Sequence, residues 1–88
     1  MSEQVLSPQE LNELWRRRLQ AALRQYESSK DKTVKLWDEH VHGLTPHPDG
    51  ALGLQQALKE EVMALNEYRR VLDVYYQLAV HGNKPAVP

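Results

Sequence analysis

The chain has 88 residues, of which 41% are hydrophobic and 26% charged, and its formal net charge is -1. That length holds one domain, and a charge so near zero gives no overall field to steer the molecule to nucleic acid or an anionic membrane. The absence of cysteine excludes a disulfide framework, thiol chemistry and a thiolate metal site.

The first six residues precede any helical signal and are expected to be flexible. Ser7 then stands where an N-cap belongs, Pro8 fills the first helical position, and Glu10 follows three residues after the cap. This is a capping box, with proline where its missing N–H costs nothing. No Gly or Pro follows until Gly43 and Pro46, which are stop signals. A helix over 8–42 is predicted. Its apolar stripe is Leu11, Trp15, Leu19, Ala22, Tyr26, Thr33 and Trp37, widened by Leu14, Leu23, Leu36 and Val41. The steps are mostly three and four. Glu13 and Arg17, and Asp31 and Lys35, lie four apart with the acid first, which supports a helix. The polar stretch 27–33 interrupts the stripe, and a break there would give a three-helix arrangement. The stripe resumes in phase at Thr33 and Trp37, so a continuous helix is the expectation.

Residues 43–50 have turn composition, with Asp49 as the expected cap of a second helix over 51–81. A connection this short makes the helices antiparallel neighbours. Gly82 and Pro85 repeat the stop, so that Val41-His42-Gly43 and Val80-His81-Gly82 end their helices alike. The domain is 7–82, and 83–88 is an expected flexible tail.

The second helix is the more informative one. Leu54, Ala57, Leu58, Val62, Ala64, Leu65, Tyr68, Val71, Leu72, Tyr75, Tyr76 and Ala79 cover about half its circumference at about 100° per residue. A stripe facing one helix needs about a third. The surplus calls for further helices, and twofold association is the commonest way to supply them. The predicted fold is therefore all-α, a two-helix antiparallel hairpin self-associating as a homodimeric four-helix bundle. Its expected core is Trp15, Leu19, Tyr26, Trp37, Leu58, Val62, Leu65, Tyr68, Leu72, Tyr75 and Tyr76.

Some residues break the pattern. Glu61 intrudes on the apolar arc at the level of Ser29, Lys32 and Thr33. A buried carboxylate needs a partner, so these four residues are expected to form a polar layer that sets register. Glu61 reaching the bundle edge, or a ligand or metal site at that layer, are the alternatives. His40 lies beside Leu36 and Trp37, where its charging at acid pH would weaken an assembly. Glu39 and His42 have the Glu-x-x-His spacing of di-iron bundles, but they project away from the stripe and no second element exists. Met63, Val74 and Leu78 are apolar on the otherwise polar side of the second helix and are candidates for a partner surface. Arg16, Arg17, Arg18, Arg24, Arg69 and Arg70 fall at one end of the hairpin. Arg16, Arg17, Arg24, Arg69 and Arg70 are the candidate anion-binding set, against nearby Glu10, Glu13, Glu27, Glu67 and Asp73.

No Gly-rich phosphate loop, nucleophile–base pair or His-Glu-x-x-His occurs. No leader or membrane-spanning run is recognisable either. The expectation is a cytoplasmic, non-enzymatic interaction module without cofactor: an adaptor, scaffold or assembly factor that self-associates and offers a face to a protein partner. An RNA- or anion-binding hairpin using the arginine end is the second reading. A metal- or small-ligand-binding bundle is the third.

Overall fold

In the computed structural model two helices pack side by side, α1 over Pro8–Val41 and α2 over Asp49–His81. Residues 6–43 and 49–85 are described, with backbone alone at 49–51. The expected turn chemistry at Pro46, His47 and Pro48 lies outside them, as does the side chain of Asp49. Contacts across the pair run in opposite directions: Tyr26 meets Tyr68, Lys32 meets Glu60 and Thr33 meets Ala57. The helices are therefore antiparallel.

Local chemistry fixes the ends. The Glu10 N–H donates to Ser7 Oγ at 3.1 Å and the Ser7 N–H donates to Glu10 Oε1 at 2.9 Å. Two donors at the helix start are thereby satisfied reciprocally. α1 continues unbroken through 27–33. There the Thr33 hydroxyl can donate back to the Ser29 carbonyl at 3.0 Å, which keeps its polar group satisfied within the helix. Gly43 and Gly82 both take φ of 68°, the left-handed conformation that ends a helix and that glycine adopts without strain. α2 starts two residues ahead of the expected 51, so Asp49 is its first residue and not a preceding cap. At the other end the Asn83 N–H donates to the Gln77 carbonyl and its side-chain amide donates to Gln77 Oε1, each at 3.0 Å. Asn83, placed by sequence at the start of a flexible tail, is thus bonded back onto the helix.

One seam joins the helices. On α2 the series Leu54, Ala57, Glu61, Ala64, Tyr68, Val71, Tyr75 and Leu78, all buried or half-buried, alternates by three and four, with half-buried Gly53, Leu65, Val74 and Gln77 beside it. That is an a/d coiled-coil repeat. The seam has two parts. Away from the turn, Leu11, Trp15, Ala22, Val71 and Leu78 form a core onto which Leu14, Leu19, Tyr68, Val74 and Tyr75 pack. Nearer the turn the buried residues are Ser29 and Thr33 on α1 and Leu54, Ala57 and Ala64 on α2, all small but Leu54. There the Thr33 hydroxyl also lies 3.2 Å from the Ala57 carbonyl across the seam. Such a reach by so short a side chain requires closely spaced helices. The hydroxyl has one proton, which the Ser29 and Ala57 carbonyls share.

Leu78 and Val74 correct the sequence-based partner surface. Leu78 is 7% exposed and belongs to the hairpin's own core, and Val74 packs against that core. The reason is drift. A seven-residue repeat on a 3.6-residue helix rotates by about 20° per heptad, which carries the buried stripe toward Leu78 by the end of α2. Met63 alone of the three stays open, at 69% exposure.

Candidate interaction surface

The hairpin leaves one side of itself apolar. Leu58, Leu65 and Leu72 each follow a seam residue (Ala57, Ala64, Val71) by one position, and Val62 and Tyr76 extend the row. Together they make a second stripe beside the seam, with Arg69 as its one charged member. Leu58 is 47% exposed, Val62 56%, Leu72 41% and Tyr76 49%, while Leu65 is half-buried. α1 contributes at two of the equivalent positions: Leu23 and Trp37 follow Ala22 and Leu36 by one and are exposed, while Arg16 and Lys30 hold the other two. Positions equivalent along two antiparallel helices share a side of the pair. The opposite side is marked by the Lys32–Glu60 ion pair at 3.2 Å, whose members lie three residues past Ser29 and Ala57.

Two shallow hollows indent the apolar stripe. One is lined by Arg69, Leu72, Asp73 and Tyr76, the other by Leu58, Lys59, Val62 and Met63. The first set has the spacing i, i+3, i+4, i+7. This is the four-residue diamond that receives a knob in coiled-coil packing. Lys59, Arg69 and Asp73 form no ion pair among the described residues.

The expected core divides accordingly. Trp15 is buried, and Leu19, Tyr68 and Tyr75 pack on the hairpin core. Tyr26 is half-buried and stacks on Tyr68 with ring centroids 6.5 Å apart. Trp37, Leu58, Val62, Leu72 and Tyr76 face outward.

The polar layer is rearranged from the predicted one. Ser29 and Thr33 are buried in it. Lys32, however, pairs with Glu60 and not Glu61. Glu61 occupies a seam position and is half-buried, so Lys32 at the flank reaches the flanking carboxylate one residue earlier.

The arginine end is largely self-neutralised. Arg16 and Arg17 both reach Glu13, at 3.2 and 3.3 Å, and Arg70 reaches Glu67 at 2.7 Å. Hydrogen bonds from these guanidiniums hold the Glu13 and Glu67 carboxyls below the usual carboxylate range. Arg18 lies over the Trp15 ring, 4.6 Å from its centroid, a cation–π contact. Of the predicted anion-binding residues, Arg24 and Arg69 stand outside these described ion pairs.

The described histidines sit at helix ends and edges. His42 Nδ1 lies 2.8 Å from the Asp38 carbonyl and 3.3 Å from its carboxylate. The His40 ring is half-buried, 6.4 Å from that of Trp37. Among the described residues no three His, Asp or Glu side chains gather as a metal-binding group, and no helix is long and apolar enough to cross a membrane. The chain matches no protein-family model, and comparisons with curated proteins and with solved structures find no match.

What sequence reading missed was the frame of the apolar stripe. Lys59, Asn66 and Asp73, assigned by sequence to the polar side, recur every seven residues directly beside Leu58, Leu65 and Leu72. The heptad spacing was the available signal.

Proposed function

We propose that the hairpin is a non-enzymatic helical interaction module, an adaptor or scaffold, that works as a homodimeric four-helix bundle closed over its apolar side. One observation carries this reading: Leu58, Val62, Leu72, Tyr76, Leu23 and Trp37 are all exposed on the same side of the isolated hairpin. Contiguous exposed apolar surface of this kind marks an interaction site.

The overall dimensions support it. The radius of gyration is 18.3 Å, against about 12 Å for a compact domain of this length. The accessible surface is 6784 Å², against about 5,300 Å² for a folded monomer of this mass. The difference is about 1,500 Å², and a specific dimer needs about 800 Å² from each copy. A surplus of that size is what an elongated two-helix rod exposes, and it is in keeping with a partner lying along its length.

Sedimentation equilibrium tests the reading, with thermal melts at several protein concentrations. The expected result is a particle of twice the chain mass and a melting temperature that rises with concentration. A fully folded particle of 10.2 kDa at micromolar concentration overturns it.

A further inference from the structure

Resting on that reading, we infer that the second copy docks α2 against α2 in antiparallel orientation, about a two-fold axis beside Leu65 and Asn66. The apolar stripe, one of its hollows and its flanking charges fit this one arrangement. With the axis there, Leu65 meets its own counterpart, and Leu58 meets Leu72 of the second copy at both ends of the interface. Leu58 then enters the diamond of Arg69, Leu72, Asp73 and Tyr76, a hollow shaped for a single apolar knob.

The flank agrees. Residues at equivalent flanking positions face each other across an antiparallel coiled coil. Lys59, Asn66 and Asp73 are spaced by seven along one flank, with Asn66 central and opposite charges at the ends. The two-fold axis brings Lys59 of each copy to Asp73 of the other and Asn66 to Asn66. Neither Lys59 nor Asp73 has an ion-pair partner among the described residues of the hairpin. Arg69 falls opposite Val62, where its aliphatic stem covers the valine and its head extends to solvent.

Stacking α2 on α1 of the second copy is the competing geometry, and it fits less well. At matching levels it sets Val62 against Lys30, Leu72 against Gln20 and Tyr76 against Arg16. Pairing α2 with itself sets Leu72 against Leu58 and Leu65 against its counterpart, lays Val62 under the stem of Arg69 and brings Tyr76 level with Gln55.

Cross-linking and charge exchange test the inference. The chain contains no cysteine, so Asn66→Cys introduces a single thiol. A short bifunctional maleimide is expected to join N66C to itself at concentrations where the protein is dimeric, while Gln56→Cys, on the other side of α2, stays unlinked. Lys59→Asp and Asp73→Lys are each expected to weaken dimerisation about tenfold, since each creates two like-charge pairs. The double variant K59D/D73K is expected to restore it. A stable dimer in which N66C does not self-link, or in which the double exchange fails to restore association, overturns the α2–α2 arrangement and leaves self-association standing. A monomeric parent protein overturns both.

Discussion

Trp15 and Trp37 are the same residue type on the same helix, and the fold treats them oppositely. Trp15 is 2% exposed, at the heart of the core formed with Leu11, Val71 and Leu78. Trp37 is 57% exposed and meets the ring of His40 beside it. The difference lies in what α2 offers at each level. Opposite Trp15 stand Val71, Tyr75 and Leu78, large enough to enclose an indole. Opposite the turn-proximal part of α1 stand Ala57 and Ala64, which draw the helices close around Ser29 and Thr33, and the buried Leu54, while Trp37 lies one position past the half-buried Leu36 and points sideways. The half of the hairpin near the termini thus has a core of its own. The half near the turn has a thinner seam with small and polar residues beside Leu54, and more of its apolar bulk lies exposed.

Trp15→Ala should produce the largest effect, a loss of about 3–5 kcal/mol by thermal or urea unfolding. Trp15→Phe should cost much less. The indole Nε1 is buried with no hydrogen-bond partner among the described residues, so phenylalanine removes an unsatisfied donor along with some packing. Equal losses from the two substitutions would show that the core at the termini does not depend on filling that site.

Dilution sharpens the contrast without mutation. Below the concentration at which the proposed dimer dissociates, amides of 33–41 and 52–62 should lose at least about tenfold in hydrogen-exchange protection, and those of 11–22, in the core of the single hairpin, should change less. Uniform loss along both helices would mean that the two halves share one stability.

Thr33→Val tests the polar seam, with an expected cost of about 1–2 kcal/mol. Valine keeps the shape and removes the hydroxyl that bridges to the Ala57 carbonyl. An unchanged melting temperature would reduce that bond to a bystander of close packing.

The smallest effect belongs to the N-cap, where Ser7→Ala should cost about 0.5–1 kcal/mol. The hydrogen bond from the Ser7 backbone holds the Glu10 carboxyl below its ordinary value of 4.5. A carboxyl whose pKa is lowered by folding stabilises the fold above its unfolded value, and that contribution disappears as pH falls through the lowered one. The difference between wild type and Glu10→Gln should therefore shrink as pH drops below the ordinary glutamate range. A constant difference would detach the capping box from the acid response.

Helix ends were legible because their chemistry is local. Ser7, Pro8 and Glu10 carry their own cap within a few residues, and Gly43 and Gly82 carry their own stop. The antiparallel pairing followed from the short connection. Less could be read about rotation. An apolar arc covering half of α2 does not say which part faces α1, and the partition between Ala57, Ala64, Val71 and Leu78 inward and Leu58 and Leu72 outward, with Leu65 between, emerges only once the seam is seen. The same ambiguity put Leu78 on a partner surface and matched Lys32 with Glu61 in place of Glu60. Each error amounts to a modest turn of the helix, which moves a residue from flank to seam. Residue periodicity near 3.6 cannot separate them without a partner to fix the zero of rotation.

The reversal of direction between α1 and α2 brings Ser7 and Asn83 to one pole of a rod about 50 Å long. Any polypeptide continuing from either terminus leaves from that pole. Were two such rods laid head to tail, whatever they carried would be held at opposite extremities, a full rod length apart. The molecule would then serve as a rigid spacer whose reach is set by the number of helical turns between cap and stop.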